Sequence, residues 1–274
     1  MNLLHWLAPW EPSISVVIAS LVTAVLFIRG GLTSRPFYRQ KLCFWAGLLC
    51  LYLASHTQLD YYAEHEFFIH QLQSLALHHV GPFFLVLACP KATLLAGLPL
   101  PGIRLIHWVS ACLPIKCLTN ALFHPVVSVS LFVGIIIFWL LPAIHFIAML
   151  DWRIYRLMNW TMMLNGLMFW GCVLDSHGRK SPGCRIGMML AAIPPQIFLG
   201  AIIFFAPHEL YPIYSLCGRA LTGISSITDQ QIGGLVLWMH AALMSGAGVI
   251  TVIYQELRQP RLSLGDSRQK TLIR

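Results

Sequence analysis

The chain has 274 residues, 57% of them hydrophobic and 10% charged, against roughly 25% charged in an ordinary soluble domain. That balance excludes water as the main solvent of the fold. A net charge of +8 would point to nucleic acid in a soluble protein. Here the cations sit in short loops between long apolar runs, where they report membrane orientation and not a polyanionic partner.

In chain order, apolar runs long enough to cross about 30 Å of hydrocarbon fall near residues 13–29, 41–57, 67–89, 122–149, 157–175, 184–206 and 231–255. In lipid a chain must satisfy its own backbone hydrogen bonds. The pattern therefore predicts an all-α, polytopic membrane protein: a bundle of seven transmembrane helices in one integral membrane domain over residues 1–274. The stretch MNLLHWLAPWEPS ahead of the first run lacks a basic leader region, so that span is expected to stay in the mature chain. Between the third and fourth runs lies KATLLAGLPLPGIRLIHWVSACLPIKCL, apolar but punctuated by Pro99, Pro101 and Pro114, which reads as a re-entrant or interfacial segment. The polar stretch after Gln255 reads as a short disordered end.

Seven spans put alternate loops on opposite sides. Of the 18 Lys and Arg residues, Arg153, Arg156 and Arg219 fall in one set of loops and the other fifteen in the opposite set. The crowded set is cytoplasmic, so the N-terminus is expected outside and the C-terminus in the cytoplasm.

Eight cysteines, of which only Cys217 lies in an outer loop, do not make a disulfide framework and read mostly as small apolar core residues. Trp6, Trp10, Tyr61, Tyr62, Trp152, Tyr211 and Tyr214 near the outer boundary read as an interfacial belt. Asp229 opens the last run, where an acidic residue caps a helix. Gly233, Gly234, Gly246 and Gly248 mark sites of close helix packing.

Twelve histidines accompany only ten carboxylates. His107, His124 and His177 fall on the cytoplasmic side, whereas His56, His70 and His145 lie near the outer ends of spans two, three and four. At 1.5 Å per residue, His78 sits about 12 Å below His70, and His240 a similar distance below the outer end of the last span. His70, Ser74 and His78 at i, i+4 and i+8 share one stripe, and Met244 is i+4 from His240. Ionisable groups inside a membrane face a partner or a cavity, which also singles out His79. Imidazole with thioether suits copper, Cu(I) especially. The candidate metal ligands are therefore His70, His78, His240, Met244, His145 and His56. The alternative for any one of them is a hydrogen bond to a backbone carbonyl. GxSxG, P-loop and HExxH patterns are absent, so no catalytic role is predicted.

The segments FFIHQLQSLALHHVGPFFLVLACP, HPVVSVSLFVGIIIFWLLPAI, LMFWGCVLD and ELYPIYSLCGRALTGISSITDQQIGGLVLWM, within matches that run in order from about residue 67 to 255, resemble the CtaG family of cytochrome c oxidase assembly factors, the multi-span kind associated with caa-type oxidases. The LYP and DQQIGG elements are the most specific. The resemblance implies a protein of the bacterial inner (plasma) membrane, needed for maturation of a haem-copper oxidase. It further implies copper as the cargo, an oxidase subunit as partner and no catalysis. Family members typically carry His-x-x-x-His early in the third span; His70 matches the first position and Ser74 stands at the second. Leu140 and Asn159 stand where the fourth and fifth spans usually have histidine. Both a site relocated onto His78, His79, His145 and His240 and a scaffold without metal are open.

Three functions follow as expectations. A copper-handling assembly factor would receive copper at His56, His70 and His145 and hold it at His78, His240 and Met244. A metal-free membrane chaperone would bind an oxidase subunit through its helices. A b-type haem protein would use two facing histidines as axial ligands. A transporter ranks behind these because inverted repeats are not evident.

Overall fold

The computed structural model describes residues 13–174, 180–221 and 223–271, with side chains described as far as Leu257. Trp6, Trp10, His177 and the basic side chains beyond Leu257 lie outside that description. Fourteen α-helices and one π-turn make up the described chain, and no strand occurs in it. α1 is Ile14–Ser34, α2 Tyr38–His56 and α3 Gln58–His65. α4 (Phe67–Leu75) runs through a π-turn (Ala76–Val80) into α5 (Gly81–Leu87). Three short helices follow, α6 (Lys91–Gly97), α7 (Leu100–Ala111) and α8 (Leu113–Leu122). α9 (Pro125–Leu140), α10 (Pro142–Leu150), α11 (Trp152–Val173), α12 (Pro182–Phe205), α13 (Ile213–Leu216) and α14 (Ser226–Thr271) complete the chain.

Ile14–Ser34, Pro182–Phe205 and Ser226–Leu257 are each long and apolar enough to cross a membrane, and three more pairs qualify across a bend, which makes three to six candidate spans. α2 and α11, at the predicted second and fifth spans, are 19 and 22 residues long. Arg39, Gln40 and Lys41 in the first, and Arg153, Arg156 and Asn159 in the second, dilute their apolar character. Large apolar side chains such as Ile14, Phe198, Leu243 and Ile250 are exposed, a surface that a soluble monomer rarely presents.

Proline explains the breaks. The predicted run 122–149 is two helices bent by 72°. Leu141 is extended at ψ 121°, as the residue before Pro142 must be to avoid the ring. The segment after the third run is a chain of short helices with 77° bends, Pro101 and Pro114 standing in the first turns of α7 and α8, the helical position that tolerates proline. No residue of α7 or α8 is buried. The polar stretch after Gln255 is not a separate disordered end, because α14 runs on to Thr271.

Packing rests on close approaches at small residues. A Cβ on Gly234 would lie 2.8 Å from the Gly200 carbonyl oxygen and one on Gly233 2.3 Å from the Phe67 ring, so α12 and α14 cross in backbone contact. Gly248 meets Met189 in the same way, but nothing lies within 4 Å of Gly246, which packs on no neighbour. Buried Arg185 donates to the Val173 carbonyl at 2.5 Å and pairs with Glu256 at 3.3 Å, pinning α14 to α11 and α12. Of the cysteines only Cys172 is fully buried, while Cys89, Cys112, Cys117 and Cys217 are exposed. Half of the thiols are therefore exposed, while Cys172, Cys184 and Cys43 belong to or pack against apolar clusters.

Candidate functional site

Pro82 has no N–H to give the His78 carbonyl, so the α-ladder cannot run through it. Gly81 N–H instead bonds back to the Ala76 carbonyl, forming the π-turn. A widened turn of this kind is common at functional positions. Within it the consecutive residues His78 and His79 are both buried. The freed His78 carbonyl is covered by Gly166 of α11, on which a Cβ would approach to 2.2 Å.

A cavity of about 20 Å3 opens beside this turn, lined by His70, Gln71, Ser74, His78, His79 and His240 together with Trp139, Leu140, Met158 and Met162. That is room for about one water or ion. The stripe predicted from His70, Ser74 and His78 lies along one wall and His240 faces it. The rings of His79 and His240 are 4.7 Å apart between centroids, and those of His78 and His79 5.1 Å. On the outer side His70 meets His145 at 5.0 Å.

Hydrogen bonds assign the ring nitrogens. His78 Nε2 donates to Asn165 Oδ1 at 3.1 Å and His240 Nδ1 to the Val236 carbonyl at 2.9 Å. Each histidine thus keeps its other nitrogen as a lone pair, the way a second partner orients a metal-binding imidazole. His145 Nδ1 donates to the Trp139 carbonyl at 3.0 Å and its Nε2 accepts from Tyr214 Oη at 2.9 Å, so both its nitrogens are engaged. His70 Nδ1, His78 Nδ1, Gln71 Nε2 and both nitrogens of His79 are buried without a normal hydrogen bond, the Gln196 carboxamide being the polar neighbour of His79. Unsatisfied buried groups are costly. They are concentrated around one cavity.

Among the described residues no three His, Cys, Asp or Glu side chains form a ready metal site. The soft donors nearest the histidines are Met158 and Met162, which sequence pattern did not select, since methionine in an apolar helix is ordinary filler. Of the predicted ligands, His70, His78 and His240 share the cavity, and His145 borders it through His70. His56 lies apart at the end of α2 against Tyr52, with ring centroids 5.2 Å apart. Met244 packs with the apolar cluster around Phe83 and Trp170 instead of lining the cavity. Ser74 and Leu140 both line it, while Asn159 lines a different groove.

The His70 end of the site is closed by a polar frame. Asp229 caps a helix, but a different one from its own. Its Oδ2 and Oδ1 accept the N–H groups of Phe67 and Phe68 at 2.9 and 2.8 Å, capping α4. Arg219 bridges Asp229, at 3.1 Å, and Glu66, which also accepts Leu221 N–H at 2.8 Å. Burial pushes the Glu66 carboxyl above the usual carboxylate range, against the pull of the Leu221 N–H and Arg219. Beside the frame, Asp60, Gln73 and Tyr155 form a buried network, Tyr155 Oη donating to Asp60 at 2.8 Å. Gln230 accepts Leu210 N–H at 2.6 Å, and Tyr211 donates to the Leu140 carbonyl at 2.9 Å. Tyr211 and Tyr214 are 4% and 1% exposed. They pack against the histidine chain and are not members of an interfacial belt, because their hydroxyls find protein partners inside.

The fold and site define an all-helical, membrane-type protein with a chain of buried imidazoles at its centre. Residues 18–259 match the family model described as cytochrome c oxidase caa3 assembly factor (Caa3_CtaG), and the chain belongs to that family. It is also similar to the uncharacterized protein Mb0105 of Mycobacterium bovis and the uncharacterized protein MT0111 of Mycobacterium tuberculosis. Each is 24% identical over 231 residues, covering 81% of this chain and 34% of the relative. The chain thus spans about a third of the length of these curated relatives. No solved structure matches it.

Proposed function

We propose that this protein is a copper-handling assembly factor that serves a haem-copper oxidase in the bacterial inner membrane. Its helices cross seven times, with the N-terminus outside. The loops that hold fifteen of the 18 Lys and Arg residues support this orientation, and α2 and α11 are the two crossings that composition alone leaves out. The observation that carries the copper reading is the cavity beside the π-turn. Four imidazoles and two thioethers line it, and several of the ring nitrogens lack partners. This donor set suits Cu(I).

In this reading His70, packed against His145, forms the outer relay and His78, His79 and His240 the inner hold, with Met158 and Met162 as soft donors. The cargo passes to an oxidase subunit. A b-type haem does not fit between these histidines, because a cavity of about 20 Å3 holds about one water and not a porphyrin. The experiment is metal content by mass spectrometry on reduced protein loaded with Cu(I) in mild detergent, wild type against His70→Ala/His240→Ala. Copper near one atom per chain in wild type and lost in the variant supports the reading. No copper in wild type would replace it with a metal-free chaperone.

A further inference from the structure

A second cavity lies apart from the histidines. It is a lateral groove of about 1090 Å3 between α1, α2, α6 and α11, at or above the upper end for pockets that take drug-sized ligands, about 1,000 Å3. Its wall on α11 runs from Trp152 to Leu174, about 33 Å at the helical rise, which is close to the hydrocarbon thickness.

Among the described residues, the close contacts of α1 are these. A Cβ on Gly30 would lie 1.7 Å from the Thr93 carbonyl oxygen, Ser34 Oγ donates to Thr93 Oγ1 at 3.0 Å, and Phe27 stacks on Phe44 at 3.6 Å. All of these contacts lie in the second half of the helix. Along its first half, Val16, Ala19, Ser20 and Thr23 face the groove.

The two mouths differ in charge. Asp60, Glu64 and Arg156 stand at one, Lys91 and Gln40 at the other. Neither residues 12–59 nor 67–150 contain an Asp or Glu. Residues 12–59 and 67–150 carry Arg29, Arg35, Arg39, Lys41, Lys91 and Arg104 with no carboxylate in either. A phosphate is attracted at Lys91.

We propose that the groove is a binding site for an anionic phospholipid, its phosphate at Lys91 and its acyl chains between α1 and α11, along the first half of α1. The topology proposed above enters only in naming the cytoplasmic leaflet as the source. Selectivity measured in a symmetric bilayer is independent of it and of copper.

The test uses the full chain in nanodiscs of equimolar phosphatidylglycerol and phosphatidylcholine, followed by detergent extraction, affinity purification and mass spectrometry of the retained lipid. Wild type is expected to retain phosphatidylglycerol over phosphatidylcholine by about fivefold for each cation that meets the headgroup. Lys91→Gln is expected to lower that preference about fivefold, and Thr23→Trp, which fills the groove, to lower the amount of lipid retained. Retention at the bulk ratio in wild type would overturn the proposal, as would a preference unchanged in Lys91→Gln. Far-UV circular dichroism on both variants confirms that the helices remain formed.

Discussion

Asp229, in the first turn of α14, closes the N-terminus of α4 by accepting the N–H groups of Phe67 and Phe68 at 2.9 and 2.8 Å. Two helices remote in sequence are thus joined by one carboxylate directly above His70. The same carboxylate pairs with Arg219 at 3.1 Å, so cap, ion pair and roof of the site depend on one another.

Removing that carboxylate is expected to destabilise the protein strongly. Breaking a buried pair on one side costs about 3–5 kcal/mol, and losing a cap adds about 1 kcal/mol. Asp229→Ala should therefore lower the thermal midpoint in detergent much more than Asp229→Asn, which keeps an acceptor for α4. Equal midpoints for the two variants would show that capping contributes nothing.

Glu66 behaves oppositely. Its carboxyl is held above the usual range by burial, so the folded state binds a proton more readily than the unfolded chain. Its contribution to stability is full below the ordinary glutamate pKa and is lost as pH rises through the raised value. Glu66→Gln, which leaves Arg219 its bridge to Asp229, is expected to flatten the decline of the thermal midpoint between mildly acidic and neutral pH.

Met158 and Met162 separate the copper site from ordinary packing. Met→Leu conserves volume and costs less than about 1.5 kcal/mol in a core, but it removes the thioether. The double variant Met158→Leu/Met162→Leu is expected to bind Cu(I) at least tenfold more weakly in a chelator competition, with an unchanged circular dichroism spectrum. Unchanged affinity would confine the methionines to packing.

The π-turn offers a test without metal. Gly166→Ala would bring a methyl to 2.2 Å from the His78 carbonyl oxygen, and overpacking of this kind costs about 1–3 kcal/mol. Gly183→Ala, where nothing lies within 4 Å, is the matched control and should be neutral or slightly stabilising. The comparison is made by thermal unfolding in the same detergent.

Tyr214→Phe removes the hydroxyl that donates to His145 Nε2. A buried nitrogen left without its partner costs about 1–3 kcal/mol. The loss of stability should be recovered in part by Tyr214→Phe/His145→Leu, which removes both polar groups. A double variant no better than the single one would sever Tyr214 from His145.

The sequence by itself determined the helical class, the membrane setting, the stripe of His70, Ser74 and His78 and the facing position of His240, because hydrophobic run length and the helical rise are local quantities. It also selected the LYP and DQQIGG segments, whose role becomes visible in Gln230 holding Leu210 and Tyr211 holding Leu140. Only the tertiary structure decided that Asp229 caps α4, that Tyr211 and Tyr214 turn inward, that His79 joins His78 through a π-turn and that His56 and Met244 stand aside. The physical reason is that each of these depends on a partner distant in the chain. A carboxylate in a first turn looks the same whether it caps its own helix or a neighbour's. With lipid outside, apolar character does not tell a helix which face to bury.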